Sequence, residues 1–349
     1  MSRYSPQSLI DFAEALFTGA GLDADKAAVA APILVEADLM GHDTHGLQQL
    51  PAYLGALANG TMTASGEPEV VADRGAVAVW NGRWLNGIWL TARALDVAAD
   101  KARQFGIGAV CIQRSHHIAC LQAYLPRMTD QGLMAIITCS DPSGASVAPF
   151  GGLDAVFTPD PLAAGIPTGG DPILIDMSAS ITTNGMVARQ GAAGKKLRGK
   201  WMQDAEGVPS DDPALIKADP PGTLLLAGGQ DHGQKGYGLA LIVETLSQGL
   251  SGYGRAGAEK RWGAATFVQV FDPALFAGLG SYEEQTANLV RLCHGSRPLP
   301  DLQAVRLPGE SALRRKREAQ NNGVTLFAGT IEKLAPFAER FGVALPRAL

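Results

Sequence analysis

From residue 76 onward the sequence alternates short β-rich runs with stretches of helical periodicity, and this alternation restricts the fold more than any other feature. AVAVW (76–80), GAVCIQ (108–113), MAIITC (134–139), PILIDM (172–177), TLLLAG (223–228) and ATFVQVF (265–271) have the length and apolar content of strands. Helical spacing falls at about 88–104, 118–130, 236–250 and 282–293. Strands interleaved with helices predict a mixed α/β (α+β) fold. The first sixty residues read as helices alone. Ser5 and Pro6 open a helix in which Leu9, Phe12, Ala13, Leu16 and Phe17 recur, until Gly19 and Gly21 stop it. Asp23 caps the next, with a stripe of Ala27, Ala30, Ile33, Leu34 and Ala37, and Pro32 is expected to kink it or move its start. A third carries Leu47, Leu50, Leu54 and Leu57 and ends at Gly60. Past a Pro-rich break at 297–309, two further helical patterns close the chain, at about 310–321 and 328–341. The Pro- and Gly-rich stretches 141–172 and 189–222 predict long connections, which in enzymes commonly carry function.

At 349 residues the chain has room for about two or three domains. Hydrophobic residues at 46% and charged residues at 18% exclude wholesale disorder and a membrane transporter. A net formal charge of −5, with the charges interspersed, argues against phosphate-neutralising nucleic-acid binding. Cys111, Cys120, Cys139 and Cys293 form no CxxC pair, which suits free thiols in a reducing compartment. Asp11 and Glu14 interrupt the apolar segment that a signal peptide needs, and no apolar run reaches the ~18 residues of a membrane span, so a cytoplasmic location is expected.

Few motifs point to chemistry. The pattern GxGxxG occurs at Gly252, Gly254 and Gly257, but it follows a helical run where a dinucleotide fingerprint needs a strand. There is no P-loop, GxSxG or HExxH. Asp38, His42 and His45, spaced four and three apart, would share one face of a continuous helix, which allows a metal-dependent hydrolase or lyase; a solvated helix end is the plainer reading. His116 and His117 follow a strand-like run where the chain turns toward helix, the junction at which α/β enzymes place side chains over a ligand. Lys235, among glycines before an apolar helix, suits an anion.

The blocks DTHGLQQLPAYLGAL (43–57), RSHHIACLQAYLPRMTDQGLMAIITCSDP (114–142), VAPFGG (147–152), DPLAAGIPT (160–168), ILIDMSAS (173–180), QKGYGLALIVETLSQGLSG (234–252) and RLPGE (306–310) together resemble, in order, the malate/L-lactate (L-sulfolactate) dehydrogenase-like family. That family includes ureidoglycolate dehydrogenases and cyclic imino-acid reductases. The resemblance implies an NAD(P)-dependent oxidoreductase of small 2-hydroxy or 2-oxo acids, usually homodimeric, with a cofactor fold that is not Rossmann. It implies an N-terminal helical domain (1–75) completed by 295–349, a central cofactor-binding domain (76–255) on a largely antiparallel sheet, and a C-terminal strand and helices (256–349) returning to the helical domain. It places His117 as general acid/base with His45 beside it. Ser140, Asp176, Met177, Ser178, Lys235 and Gly236 match cofactor positions, and Thr44, Gln49, Tyr53 and Asp160 match positions near the substrate.

Two departures bear on the substrate. Where the family commonly has an arginine four residues after the first histidine, this chain has Gln49, and Asp160 stands where an asparagine is usual. Both disfavour a dianion such as malate and bring a less acidic hydroxy acid, or a cyclic 2-imino acid, forward; against this, Arg306 or Arg314 could take over the carboxylate.

Overall fold

The computed structural model describes residues 2–349. Strand β1 (Arg3–Tyr4) is followed by helices α1 (Pro6–Gly19), α2 (Ala24–Met40) and α3 (Leu50–Ala58). Their predicted stripes are the buried faces: Leu9, Phe12, Leu16, Phe17, Leu34, Leu50 and Leu54 all lie in one core. α2 runs unbroken through Pro32; the hydrogen bond lost there is outweighed by burial of Ile33, Leu34, Val35 and Ala37 on either side.

The chain then enters the sheet with β2 (Glu69–Arg74) and β3 (Val77–Asn81), crosses through α4 (Gly87–Phe105), and returns as β4 (Ile107–Ser115). Asn86 caps α4, its side chain accepting from the Trp89 N–H at 3.0 Å. A short α5 (Pro126–Thr129) leads into β5 (Met134–Ser140), β6 (Pro161–Ile166) and β7 (Ile173–Ser178). Next come α6 (Asn184–Ala192), the two-residue strands β8 (Met202–Gln203), β9 (Pro209–Ser210) and β10 (Thr223–Leu224), the single turn α7 (Gly229–His232) and α8 (Gln234–Glu244). β11 (Ala264–Phe271), α9 (Leu279–Gly295), α10 (Glu310–Asn322), β12 (Val324–Thr325) and α11 (Thr330–Phe341) complete the chain.

The seven-stranded sheet has the order β2-β3-β4-β11-β5-β6-β7. Only β3 and β4 are parallel; every other pairing is antiparallel, so no Rossmann unit is present in the sheet. β11, far along the chain, occupies its middle. Both chain ends meet in the helical layer, where β1 pairs with β12 and α10 packs on α2. β8, β9 and β10 form a separate small sheet over their own core of Val147, Phe157, Leu197, Met202 and Leu226.

Two expected elements come out differently. The stretch 118–130 holds only a 3-10 turn at Leu121–Tyr124 and the short α5, because Asp176 captures the Gln122 N–H at 2.9 Å and the Tyr124 hydroxyl donates to the Ile118 carbonyl at 2.5 Å. Of 223–228 only Thr223–Leu224 pairs as strand.

Candidate active site

His116 and His117 follow directly on the C-terminal end of β4, an interior strand, and the N-terminus of α4 fixes them there. Gly87 lies against the carbonyls of both histidines so closely that a Cβ would overlap them, so only glycine allows this approach. Tyr53, on α3 and fully buried, meets His117 from the helical layer: its hydroxyl lies 2.6 Å from Nδ1. The Ala119 N–H also donates to Nδ1, at 3.3 Å. Because a backbone N–H can only donate, Nδ1 is the acceptor and neutral His117 carries its proton on Nε2. No protein group among the described residues bonds Nε2.

Aromatic rings surround this imidazole. Trp262 stacks on it with centroids 4.9 Å apart and 26° between planes, His45 lies at 6.1 Å and 21°, and His116 meets Trp262 edge-on at 4.8 Å. Removal from water favours the neutral ring. Burial first, then His45 and His116, hold His117 down to about 3; burial, His42 and Arg189 hold His45 down to about 4. Neither carries charge near neutral pH.

The turn that presents His45 is anchored by Asp38. Its carboxylate accepts the Leu47 N–H at 2.7 Å, and Gly46 lacks the side chain that would collide with it. α2 stops at Met40 with Gly41 left-handed, so Asp38, His42 and His45 do not share a helix face, and the metal reading of that spacing fails. His45 Nδ1 pairs instead with the Thr44 hydroxyl at 2.9 Å, and His42 Nε2 with Gln122 Oε1 at 2.7 Å. His42, Cys120 and Asp176 do bring ligand atoms within 4.8 Å of one another, but Asp176 accepts from Gln122 N–H and the Cys120 thiol and His42 is taken up by Gln122. His232 and His294 lie elsewhere, exposed on α7 and at the end of α9.

Burial raises Asp38 to about 8, with Asp43 adding to it. The unfolded chain ionises this group near 3.8, so between that pH and about 8 the folded state retains a proton that the unfolded state has lost, and the contribution to stability falls as pH rises. Asp38→Asn keeps an acceptor without a charge. It is expected to gain on wild type by roughly 4 kcal/mol between pH 5 and 8.5 in urea unfolding; a difference independent of pH contradicts this.

The sequence-matched cofactor positions fall in two groups. Asp176, Met177 and Ser178 end β7, and Gly236 at the start of α8 packs against Ala179, which follows them, and against Ala227, a Cβ there coming within 2.5 Å of the Ala179 carbonyl. Lys235 beside it is exposed and makes no ion pair among the described residues. Since Gln122 reaches Leu174 O at 2.9 Å and Asp176, this surface continues from the His117 turn. Ser140 is different. Its hydroxyl donates to Glu244 Oε1 at 2.7 Å and accepts from Gln248 at 3.0 Å and Arg255 at 3.2 Å, within a buried knot that includes Asp160. Asp160 accepts from the Thr158 hydroxyl at 2.6 Å, sits at φ +47°, and is pushed up to about 7 by burial and Glu244. Asp and Asn tolerate that backbone better than most residues, which explains a carboxylate in the amide's place. Gln49 donates to the Thr44 carbonyl at 2.8 Å, bracing the same turn. Trp262 and Arg189 are site residues that sequence patterns did not single out.

The sequence pattern of the family described as Malate/L-lactate dehydrogenase matches residues 4–335. Hydroxycarboxylate dehydrogenase B of Escherichia coli O157:H7 is 29% identical over 348 residues, covering 98% of this chain and 95% of that protein. The Delta(1)-pyrroline-2-carboxylate/Delta(1)-piperideine-2-carboxylate reductase of Pseudomonas syringae pv. tomato is 30% identical, covering 95% and 94%. The crystal structure of malate dehydrogenase from Entamoeba histolytica superposes with a TM-score of 0.93 at 23% identity, covering 99% of this chain and 100% of that one, and shows the shared fold. Relatives of this kind are named dehydrogenases and reductases of hydroxy acids or cyclic imino acids. The chain belongs to the malate/L-lactate dehydrogenase family.

Proposed function

We propose that this chain is an NAD- or NADP-dependent oxidoreductase moving a hydride between nicotinamide and a small 2-hydroxy or 2-oxo acid, with His117 as general acid/base. The observation that carries the reading is the His117 imidazole: half-buried, neutral, fastened at Nδ1 by Tyr53, with Nε2 left without a protein partner. The residues present fit a dinucleotide. Lys235 offers an unpaired charge at the start of the eleven-residue helix α8, beside the end of β7, where a phosphate gains from both the ammonium and the helix N–H groups.

Nicotinamide, when bound, donates or accepts the hydride. The protein moves the proton. In oxidation Nε2, bare in the tautomer that carries its proton on Nδ1, takes the hydroxyl proton and the ring becomes imidazolium; in reduction that imidazolium returns the Nε2 proton to the carbonyl oxygen and is left neutral with Nδ1–H. The Tyr53 hydroxyl donates to Nδ1 in the resting tautomer and turns to accept from Nδ1–H in the tautomer and the imidazolium that exchange the Nε2 proton with substrate. His45, braced by Thr44, is placed to hold the substrate's oxygen, and Trp262 keeps water from the imidazole. A substrate anion bound beside His117 raises its pKa and eases proton delivery in the reductive direction. Reduction of a cyclic 2-imino acid uses the same donor and is favoured by the uncharged Gln49; this is the second reading.

Titrating NADH and NADPH separately, and following thermal stability, tests the cofactor; at 100 Kd a bound nucleotide adds about 2.7 kcal/mol. Turnover across malate, lactate, sulfolactate, ureidoglycolate and piperideine-2-carboxylate then identifies the substrate. Stabilisation by divalent metal alone, with no nucleotide response, contradicts the reading. The four cysteines are unpaired in the structure and no helix among the described residues is long and apolar enough to cross a membrane; a cytoplasmic placement is part of the proposal.

The proposal includes a homodimer. α9 is seventeen residues long and buries none of them in its own chain, while Leu279, Leu289 and Leu292 are 46%, 51% and 56% exposed. A helix gains most of its stability from packing an apolar face, so this face needs a second surface. Leu289→Glu combined with Leu292→Glu is expected to shift light-scattering mass from dimer to monomer; an unchanged mass contradicts the assignment of this face.

A further inference from the structure

The family position that commonly carries an arginine holds Gln49, whose amide is spent on the Thr44 carbonyl. Arg306 donates to Ser311 and Arg314 pairs with Glu318, both at the surface, so neither reaches the site. The guanidinium that does act on His45 is Arg189, on α6. α6 lies along the histidine-bearing turn, with Gly185 next to Thr44 and Arg189 one turn on. Nη2 of Arg189 donates to Asp43 Oδ1 at 3.0 Å and Gln48 Oε1 at 3.1 Å, the residues on either side of the stretch Thr44–Leu47 that carries His45. Phe327 supports the guanidinium from 4.2 Å. Nη2 is thereby saturated. Nε is buried without a hydrogen-bond partner, and no protein acceptor among the described residues takes Nη1.

A buried donor left unpaired is costly, and the usual resolution is a ligand or water. Here the donors left over belong to an arginine that is braced and adjacent to the histidine proposed to hold substrate; with Nη2 saturated, Nη1 is the donor left to meet a carboxylate, through one charge-assisted hydrogen bond. We propose that Arg189 binds the substrate carboxylate, in place of the charge missing at Gln49. Asp43 already neutralises part of that charge, so the site suits one carboxylate. The substrate class is a 2-oxo, 2-hydroxy or 2-imino monocarboxylate rather than a dicarboxylate. This inference rests on the oxidoreductase reading above.

The experiment compares wild type, Arg189→Gln and Arg189→Lys, each checked for unchanged thermal stability. The readouts are KM and kcat for pyruvate and piperideine-2-carboxylate, the inhibition constant of oxamate, and the Kd of NAD(P)H. Arg189→Gln is expected to raise KM and the oxamate constant roughly tenfold or more, with kcat within about threefold and nucleotide Kd unchanged; Arg189→Lys falls between. A loss confined to kcat means that Arg189 only braces the turn, and it overturns the proposal, as does an unchanged KM. If wild type turns over neither substrate yet binds oxamate through Arg189, the carboxylate site stands and the reaction assignment falls. If wild type turns over and Arg189→Gln matches it, the reverse holds.

Discussion

His117→Asn is expected to lower kcat by about 10²–10⁴-fold while leaving NAD(P)H binding intact, because a positioned acid/base supplies roughly 3–5 kcal/mol of the barrier. The amide preserves a polar group of similar reach but cannot exchange a proton. Single-turnover reduction measured beside the nucleotide Kd separates the two effects. The pH profile adds a second check. With His117 held near 3 by burial, kcat/KM of the free enzyme is expected to show no inflection near 6.5, the ordinary histidine value, on its account. A variant with kcat near wild type excludes His117 as the proton carrier.

Tyr53→Phe is the second large effect. The phenyl ring still fills the pocket among Phe17, His117 and Trp262, so folding is little changed. Nδ1 loses its 2.6 Å partner and with it the control over which nitrogen holds the proton. The imidazolium that exchanges the Nε2 proton loses the oxygen facing its Nδ1–H, a charge-assisted hydrogen bond worth about 1.5–3 kcal/mol, so kcat is expected to fall roughly 10–100-fold in both directions while KM changes little. Tyr53 is a positioning residue, and rescue of the pH profile's shape by Tyr53→His, which restores a donor, would separate this role from packing. A fall in stability equal to the fall in rate contradicts it.

How much of this was legible in the sequence follows from the kind of signal each residue gives. The helical stripes of α1, α3 and α4 and the apolar runs of β4, β5 and β11 were read correctly because burial and period coincide in them. β2 was missed: EVVADR has no buried residue, so an edge strand left no apolar pattern. β6 begins at Pro161 and contains Gly165, both poor strand signals. The spacing of Asp38, His42 and His45 misled because it presumes a helix that Gly41 ends. His117 was legible as a side chain at a strand's end, whereas Tyr53 was reached only through the family resemblance. Trp262 depends on register: Ala264 pairs with Ser115, which brings the residues before β11 against those after β4, and nothing local announces it. Arg189 likewise meets Asp43 across 146 positions of sequence.

The most direct test is a crystal structure with nicotinamide nucleotide and oxamate bound together. The account predicts Nε2 of His117 within about 3 Å of the oxamate carbonyl oxygen, with the nicotinamide C4 about 3–3.5 Å from the carbon that takes the hydride. An imidazole turned away from that oxygen, or a nucleotide whose reactive ring lies far from residue 117, contradicts it.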